Sequence, residues 1–371
     1  MKIGIITFHA SHNHGSMLQA WAMQNYLQKK GHKVEIINYR SFQQKKLFFQ
    51  PFELNNKYSF QSSLKRLFLS PFSFKSFKKK WQLFESFLNS EYNLTKEYNT
   101  IEQLYDENFD YDLVVVGSDQ IWNTDGLGSG ECTEAYFANF VSCKKIAYAP
   151  SFGPDITHVN KDFIKKHLRN FSGLSVRESS GKSFLLDNKL VNSVEVVCDP
   201  TLLLEGEDYF QLIESRPLYN EDYIFFYSPH ALPIRHFEIV NKIGQQLGIP
   251  VIADRLYYPK DIKKFSHIKI FPEVGPKEFL NLIKNAQLVV GESFHLLVFS
   301  LLLKKSFFCI NGDLDNRLSN LLSAVGMQRR AINVKAGELN DDYTIKDFSS
   351  AMNFLDSFRQ HSYEYLNQFI S

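Results

Sequence analysis

Short, wholly apolar runs alternate along this chain with longer stretches in which apolar residues recur every three or four positions. "KIGIITF" is such a run, rich in β-branched residues and bounded by polar ones, and it reads as a buried strand. A polar loop follows, then Met17–Lys29, with Leu18, Trp21, Ala22 and Leu27 at helical spacing and Gly31 as a stop. "KVEIINY" is the next strand, which completes a βαβ unit and predicts a parallel sheet. The same rhythm resumes at "YDLVVVGSDQIW" and continues through "KKIAYAPSFG", a helix near 157–169, "GLSVRE" and "VEVVCDPTLLL".

A polar, acidic stretch at 205–221, containing Pro217, separates this series from a second one. The second comprises "YIFFYS", a helix near 234–247, "PVIAD", "IKIF", a helix from Pro276, "QLVVGES", a helix from about Phe294, and "SFFCING". The expectation is an α/β protein with two Rossmann-like, doubly wound domains facing a cleft. The N-terminal domain is expected over 1–205, with a helical insertion at about 41–95. The C-terminal domain is expected over 221–335, and a helix in 345–371 should pack back on the body. Fixed short repeats and low-complexity tracts are absent from the sequence.

Composition narrows the classes. The chain has 371 residues, is 44% hydrophobic and 22% charged, and carries a net charge of +2, so no global field argues for nucleic acid. Cys132, Cys143, Cys198 and Cys309 form no C-x-x-C pair, and reduced thiols fit the cytosol. Apolar runs fall short of a membrane span, and "MKIGIITFHA" reads as a core strand rather than a signal peptide. Between Ser41 and Lys80 the sequence holds nine Lys or Arg, one acidic residue (Glu53) and ten Phe or Tyr. That stretch fits either a packed helical insertion with a solvated basic face or a peripheral contact with an anionic membrane surface.

Candidate chemistry lies in the loops that follow strands, where open α/β sheets bind ligands. In "TFHASHNHGSMLQA", His9, His12 and His14 are poorly spaced to converge on a metal. The helix expected to begin near Ser16, with Gly15 allowing close approach, favours a polar or anionic ligand; a polar loop capped by Ser16 is the alternative. "VVVGSDQIWN" ends a strand at Asp119, placed to accept a proton from a hydroxyl or to cap the next helix. Trp122 beside it offers a face for a sugar, or fills the core. Arg177 in "SVRE" can clamp an anion through its planar fork, or pair with a nearby acid. Asp199, before Pro200, reads as structural. In "VVGESFHLLVFSLLL", His295 sits in the first turn of a very apolar helix, and in "GDLDNRLSNLL" Asn316 and Arg317 start another, with Asp313 as the simplest partner for Arg317.

Taken together, "TFHASHNHGSMLQAWA", "VVGSDQIWN", "YAPSFG", "SVRESSG", "CDPTLLL", "VGPKEFLNLIKNAQLVVGESFH" and "NRLSNLL" resemble the polysaccharide pyruvyl transferase family, in that family's order and over residues 1 to about 325. The resemblance implies a GT-B-like fold and transfer of a pyruvyl group from phosphoenolpyruvate to a sugar of a cell-surface polysaccharide. That chemistry needs a general acid, which His295 suits, and a base for the hydroxyls, which Asp119 suits. Asn13 and Gly15 match the family's opening motif, and with Ser16 and Trp122 they are the expected acceptor contacts. Better-studied members carry an Arg two residues before this His; here that position is Ser293. Either Arg177 and Arg317 supply the donor's cations, with Ser293 and Asn316 beside them, or the donor differs. No metal and no cofactor is implied. The acceptor implied is a lipid-diphosphate-linked oligosaccharide, with the protein cytoplasmic or peripheral at the inner membrane face. A nucleotide-sugar glycosyltransferase and a non-catalytic carbohydrate-binding protein are the alternative readings.

Overall fold

The structure, a computed structural model, describes residues 1–49, 60–123, 134–153, 156–229, 232–254, 262, 264–334 and 342–371, with side chains described outside 46–74. The chain divides into two compact units. Unit 1 comprises 1–48, 88–205 and 353–371, and unit 2 comprises 49–87 and 206–352. The stretch expected as an insertion, 41–95, is therefore shared between them. Its helices are α2 (Phe42–Phe49) and α3 (Phe60–Glu91). The basic, aromatic face proposed for membrane contact falls mostly outside the described side chains.

Unit 1 is built on six strands: β1 (Lys2–Ile6), β2 (Lys33–Ile36), β3 (Leu113–Val116), β4 (Lys144–Ala147), β5 (Gly173–Val176) and β6 (Glu195–Val196). All pair in parallel, in the order β2-β1-β3-β4-β5-β6. Ile3 of β1 lies opposite Val34 on one side and Leu113 on the other. Every residue of β3 is buried, as expected for a central strand covered on both faces. The helices are α1 (His14–Lys29), α4 (Ile101–Tyr105), α5 (Lys161–Leu168) and α6 (Ser179–Asp187).

Unit 2 repeats the plan with β7 (Ile224–Tyr227), β8 (Val251–Ala253), β9 (Ile268–Ile270), β10 (Leu288–Gly291), β11 (Phe307–Ile310) and β12 (Ala331–Ile332). Its helices are α7 (Ile234–Leu247), α8 (Pro276–Asn285), α9 (Phe294–Leu302) and α10 (Asn316–Ala324). The strand order is β12-β11-β10-β7-β8-β9, again all parallel. Strands run outward from β7 to β9, and the chain then returns to the other side of β7 with β10. The loops after β7 and β10 therefore leave in opposite directions and open a crevice between them; the loops after β1 and β3 do the same in unit 1.

The final helix, α11 (Ser349–Ile370), ends on unit 1. Arg359 Nε donates to Leu202 O at 2.6 Å, Ser362 Oγ accepts from Cys198 N at 2.9 Å, and Tyr365 OH donates to Ala147 O at 2.9 Å. No helix among the described residues is long and apolar enough to cross a membrane. Cys143, Cys198 and Cys309 are free thiols; Cys132 lies outside the described residues.

Candidate functional site

The switch point of unit 1 is a buried polar network. Asn13, not Ser16, caps α1: its side-chain oxygen accepts from Gly15 N at 3.0 Å and Ser16 N at 3.3 Å. Asn satisfies two first-turn N–H groups that a serine three residues later could not reach. Ser16 is thereby left to donate its hydroxyl to Asp119 Oδ2. Gln19, one turn on, donates to Thr7 Oγ1 at 2.9 Å and accepts from Ser118 N at 3.2 Å, which ties the loops after β1 and β3 together.

Asp119 occupies the left-handed region at φ 69°, and its Oδ1 accepts from Gln120 N at 2.8 Å, so it turns the chain rather than capping a helix. Gly117, two residues before, has φ 124°, and a Cβ there would stand 2.1 Å from Tyr148 O. Strained backbone of this kind is held in place by its surroundings and is common at functional loops.

Arg177 meets carboxylates. Its Nε donates to Glu178 at 2.8 Å and its Nη1 to Asp199 Oδ2 at 3.0 Å, with the side chain 3% exposed. Burial works against the charge, but Glu178, Asp199 and Asp119 outweigh it and the guanidinium's pKa rises. The reading of Arg177 as an open anion clamp is corrected, because its buried donors already neutralise acids. Asp199 is the hub, since it also accepts from Thr201 N at 3.0 Å and Thr201 Oγ1 at 2.7 Å.

Trp122 is corrected too. The indole is fully buried, stacks on Phe137 at 5.4 Å and 2°, and donates Nε1 to Tyr136 O at 3.2 Å. A ring covered by Phe137, Phe152 and Phe171 has no face for a sugar. The opening histidines have separate duties: His9 Nε2 bonds Asn38 Oδ1 at 2.9 Å, His14 is buried in α1, and His12 turns the loop at φ 48°. No cluster of three metal-capable side chains occurs among the described residues.

The switch point of unit 2 is more open. β10 ends at Gly291, where a Cβ would stand 1.9 Å from Tyr227 O, so only glycine lets the strand close on β7 here. Ser293 caps α9, accepting from Leu296 N at 3.4 Å, and His295 lies in the first turn, buried and edge-on to Phe294 at 5.3 Å. Arg317 is held by Asp315, not Asp313. Asp315 caps α10 through Arg317 N at 2.8 Å and also accepts from Nε at 3.1 Å and Nη2 at 2.7 Å. Burial raises the Asp315 carboxyl, but Arg317's hydrogen bonds prevail and the pKa falls. Asn316 is exposed at the helix start. Three residues that the sequence reading passed over also stand here: Glu292, His236 and Asn311. Glu292 adjoins Gly291 in "VVGES", and that adjacency was the one available signal.

A family model described as polysaccharide pyruvyl transferase matches residues 13–313. No protein of curated function matches the chain. Among solved structures, MnaA of S. aureus, solved with UDP, is 14% identical with a TM-score of 0.52, covering 99% of this chain and 97% of that one. The UDP-GlcNAc 2-epimerase of Neisseria meningitidis, bound to UDP-GlcNAc, is 12% identical with a TM-score of 0.47, covering 100% and 93%. The glycosyltransferase SnogD of Streptomyces nogalater is 10% identical with a TM-score of 0.48, covering 98% and 95%. The likeness to the first of these is one of fold: two Rossmann-like units of the GT-B type.

Proposed function

The chain belongs to the polysaccharide pyruvyl transferase family, and from that premise we propose that it moves the pyruvyl group of phosphoenolpyruvate onto two hydroxyls of a sugar, forming a ketal and releasing phosphate. The observation that carries this reading is His295 in the first turn of a serine-capped helix at the switch point of unit 2. Ketal formation begins by protonating the methylene carbon of the enol phosphate, which leaves positive charge on the neighbouring carbon. An imidazole is a suitable acid, since its ordinary pKa lies near neutrality.

The donor is an anion, and the free N–H groups at the starts of α9 and α10 favour negative charge. Arg317 is the proposed cation, with Ser293 and Asn316 beside it. It is partly exposed, and an incoming carboxylate or phosphate can compete with Asp315 for its fork. Asp119 is the proposed base for an acceptor hydroxyl, with Asn13, Gly15 and Ser16 as acceptor contacts. The proposed acceptor is a sugar on a lipid diphosphate, reached at the inner membrane face. Incubating the purified protein with phosphoenolpyruvate and candidate lipid-linked sugars tests the reading: a product gaining a pyruvate ketal, with phosphate released, supports it. Label arriving instead from a nucleotide sugar, or binding without turnover, overturns it.

A further inference from the structure

Three neighbouring loops of unit 2 converge on one imidazole that the chemistry above does not use. His236 lies in the first turn of α7, which follows β7; Glu292 follows β10, and Asn311 follows β11. These strands are adjacent in the order β11-β10-β7, so their loops share the ligand edge of the sheet. His236 Nε2 stands 3.5 Å from Glu292 Oε2 and 3.2 Å from Asn311 Nδ2. The ring is 7% exposed, whereas the Glu292 side chain is 24% exposed. Glu292 N donates to Tyr227 O at 3.2 Å, which extends the β10–β7 ladder one residue and fixes where its side chain departs. Beyond His236 the Glu292 carboxylate has no polar partner among the described residues. Asp254, at the end of β8, is fully buried and paired with Lys80. Glu292 thus has one oxygen toward a buried imidazole and one available at the switch point.

We propose that Glu292 is a second proton-transferring residue of this site and that His236 is its positioning partner, the pair supplying the proton that departs with phosphate. The proposal rests on the pyruvyl-transfer reading, and the bookkeeping of that reaction requires such a group. Two C–O bonds form to the acceptor oxygens, one C–H bond forms at the methylene carbon, and the bond from carbon to the phosphate oxygen breaks. The two acceptor hydroxyls lose two protons. One is balanced by the new methyl group and the other by the hydrogen phosphate released. His295 serves the carbon; a separate donor serves the leaving oxygen.

The surroundings of His236 suit both protonation states. With Nε2 bare, Asn311 Nδ2–H donates to it; with Nε2 protonated, it donates to Glu292 and the Asn311 amide turns its oxygen inward. Other charged groups on these elements among the described residues include Arg235 and Glu238 on α7, both exposed, Asp313 and Asp315 on the loop after β11, and Arg317 in the first turn of α10. Glu292, Asp313 and Asp315 all push up the thiol of Cys309, after burial itself, so the edge is rich in carboxylates.

The test uses Glu292→Gln and His236→Asn in the full chain, in D2O. Expected is a loss of phosphate release of about 10²-fold or more, with one limb of the pH–rate profile gone, while deuterium still enters the methylene carbon of phosphoenolpyruvate. His295→Ala should lose both. Phosphate release at the wild-type rate, or deuterium incorporation lost in parallel with it, overturns the proposal. A second measurement needs no turnover. In NMR titration, Glu292→Gln should shift the His236 imidazole midpoint down by about one pH unit. An unmoved midpoint overturns the pair even in a protein inert to phosphoenolpyruvate, whereas inertness with the shift present counts against the pyruvyl reading alone.

Discussion

The ligand edges of the two units share one architecture and differ in how completely their polar side chains are occupied. In unit 1, Arg177 and Asp199 are 3% and 0% exposed, and Ser118, Thr201 and Gln19 are buried with them. In unit 2, Arg317, Asp315 and Glu292 are 16%, 22% and 24% exposed. A buried ion pair has lost its water, and removing one member strands the other in a medium that cannot solvate it. A half-exposed pair stays exchangeable, because water or a ligand can replace either partner. The buried ion pair of unit 1 is therefore committed to holding its loops in place, and the charges of unit 2 stay more accessible to solvent.

The largest effect expected from that contrast is on turnover. His295→Ala should lower pyruvyl transfer by about 10²- to 10⁴-fold, the usual worth of a positioned acid. The fold should survive, since the imidazole sits on a helix whose packing is carried by Leu296, Leu297, Val298 and Phe299. Steady-state kinetics beside a thermal melt measure both. Turnover within a factor of a few of wild type would remove unit 2 from the chemistry.

The same substitution made in each unit sharpens the contrast further. Arg177→Ala leaves Asp199 and Glu178 without their cation and should cost about 3–5 kcal/mol of stability. Arg317→Ala should cost about 1 kcal/mol or less while raising the donor KM roughly tenfold through a lost charge-assisted bond. Urea unfolding and donor titration of both variants decide the matter. Equal stability losses would mean that the two edges do not differ as their burial suggests.

The strands were legible because parallel strands covered on both faces are short apolar runs, as in "LVVV" and "LVVG", and the polar residues after each run marked the ligand edge. That rule singled out His295, Ser293, Asp119 and Ser16 as candidates. The rule is blind to direction and partnership. Trp122 follows the same strand, three residues beyond Asp119, yet its ring turns into the aromatic core around Phe137. Arg177 follows β5, but of the two acids that hold it only Glu178 is adjacent; the other, Asp199, lies 22 residues on. For Arg317 the sequence offered a ligand or, more simply, Asp313; helix geometry gave it the capping Asp315, one carboxylate serving backbone and guanidinium at once. His236 sits in the first turn of an amphipathic helix, where period alone cannot tell a core histidine from one near a ligand edge. Assembly of the two units from 49–87 and 353–371 is equally non-local: Arg359 reaches Leu202, and Tyr365 reaches Ala147, over separations that no local pattern encodes.

The smallest expected effect concerns alkaline stability, and it tests the contrast far from either site. Burial, first among the causes, raises the phenol pKa of Tyr26, Tyr98, Tyr111 and Tyr365 in unit 1, and of Tyr223 in unit 2. In each the folded value lies above the unfolded value of about 10. Below that pH both states keep the proton and nothing changes. Above it the unfolded chain releases protons that the folded one retains, so stability falls as pH rises. Unit 1 carries more such groups and should weaken first. Its loss is readable by tryptophan fluorescence, because Trp21 and Trp122 belong to it and only Trp81 belongs to unit 2. Tyr111 is the informative case, since Glu35 accepts its hydroxyl at 3.0 Å and adds to the rise. Tyr111→Phe should flatten the decline in urea midpoint between pH 9 and 11 while lowering stability at neutral pH by about 1 kcal/mol for the lost hydrogen bond. A decline as steep as that of wild type would show that other groups govern the alkaline limb and that the tightness of unit 1 lies elsewhere than in its buried phenols.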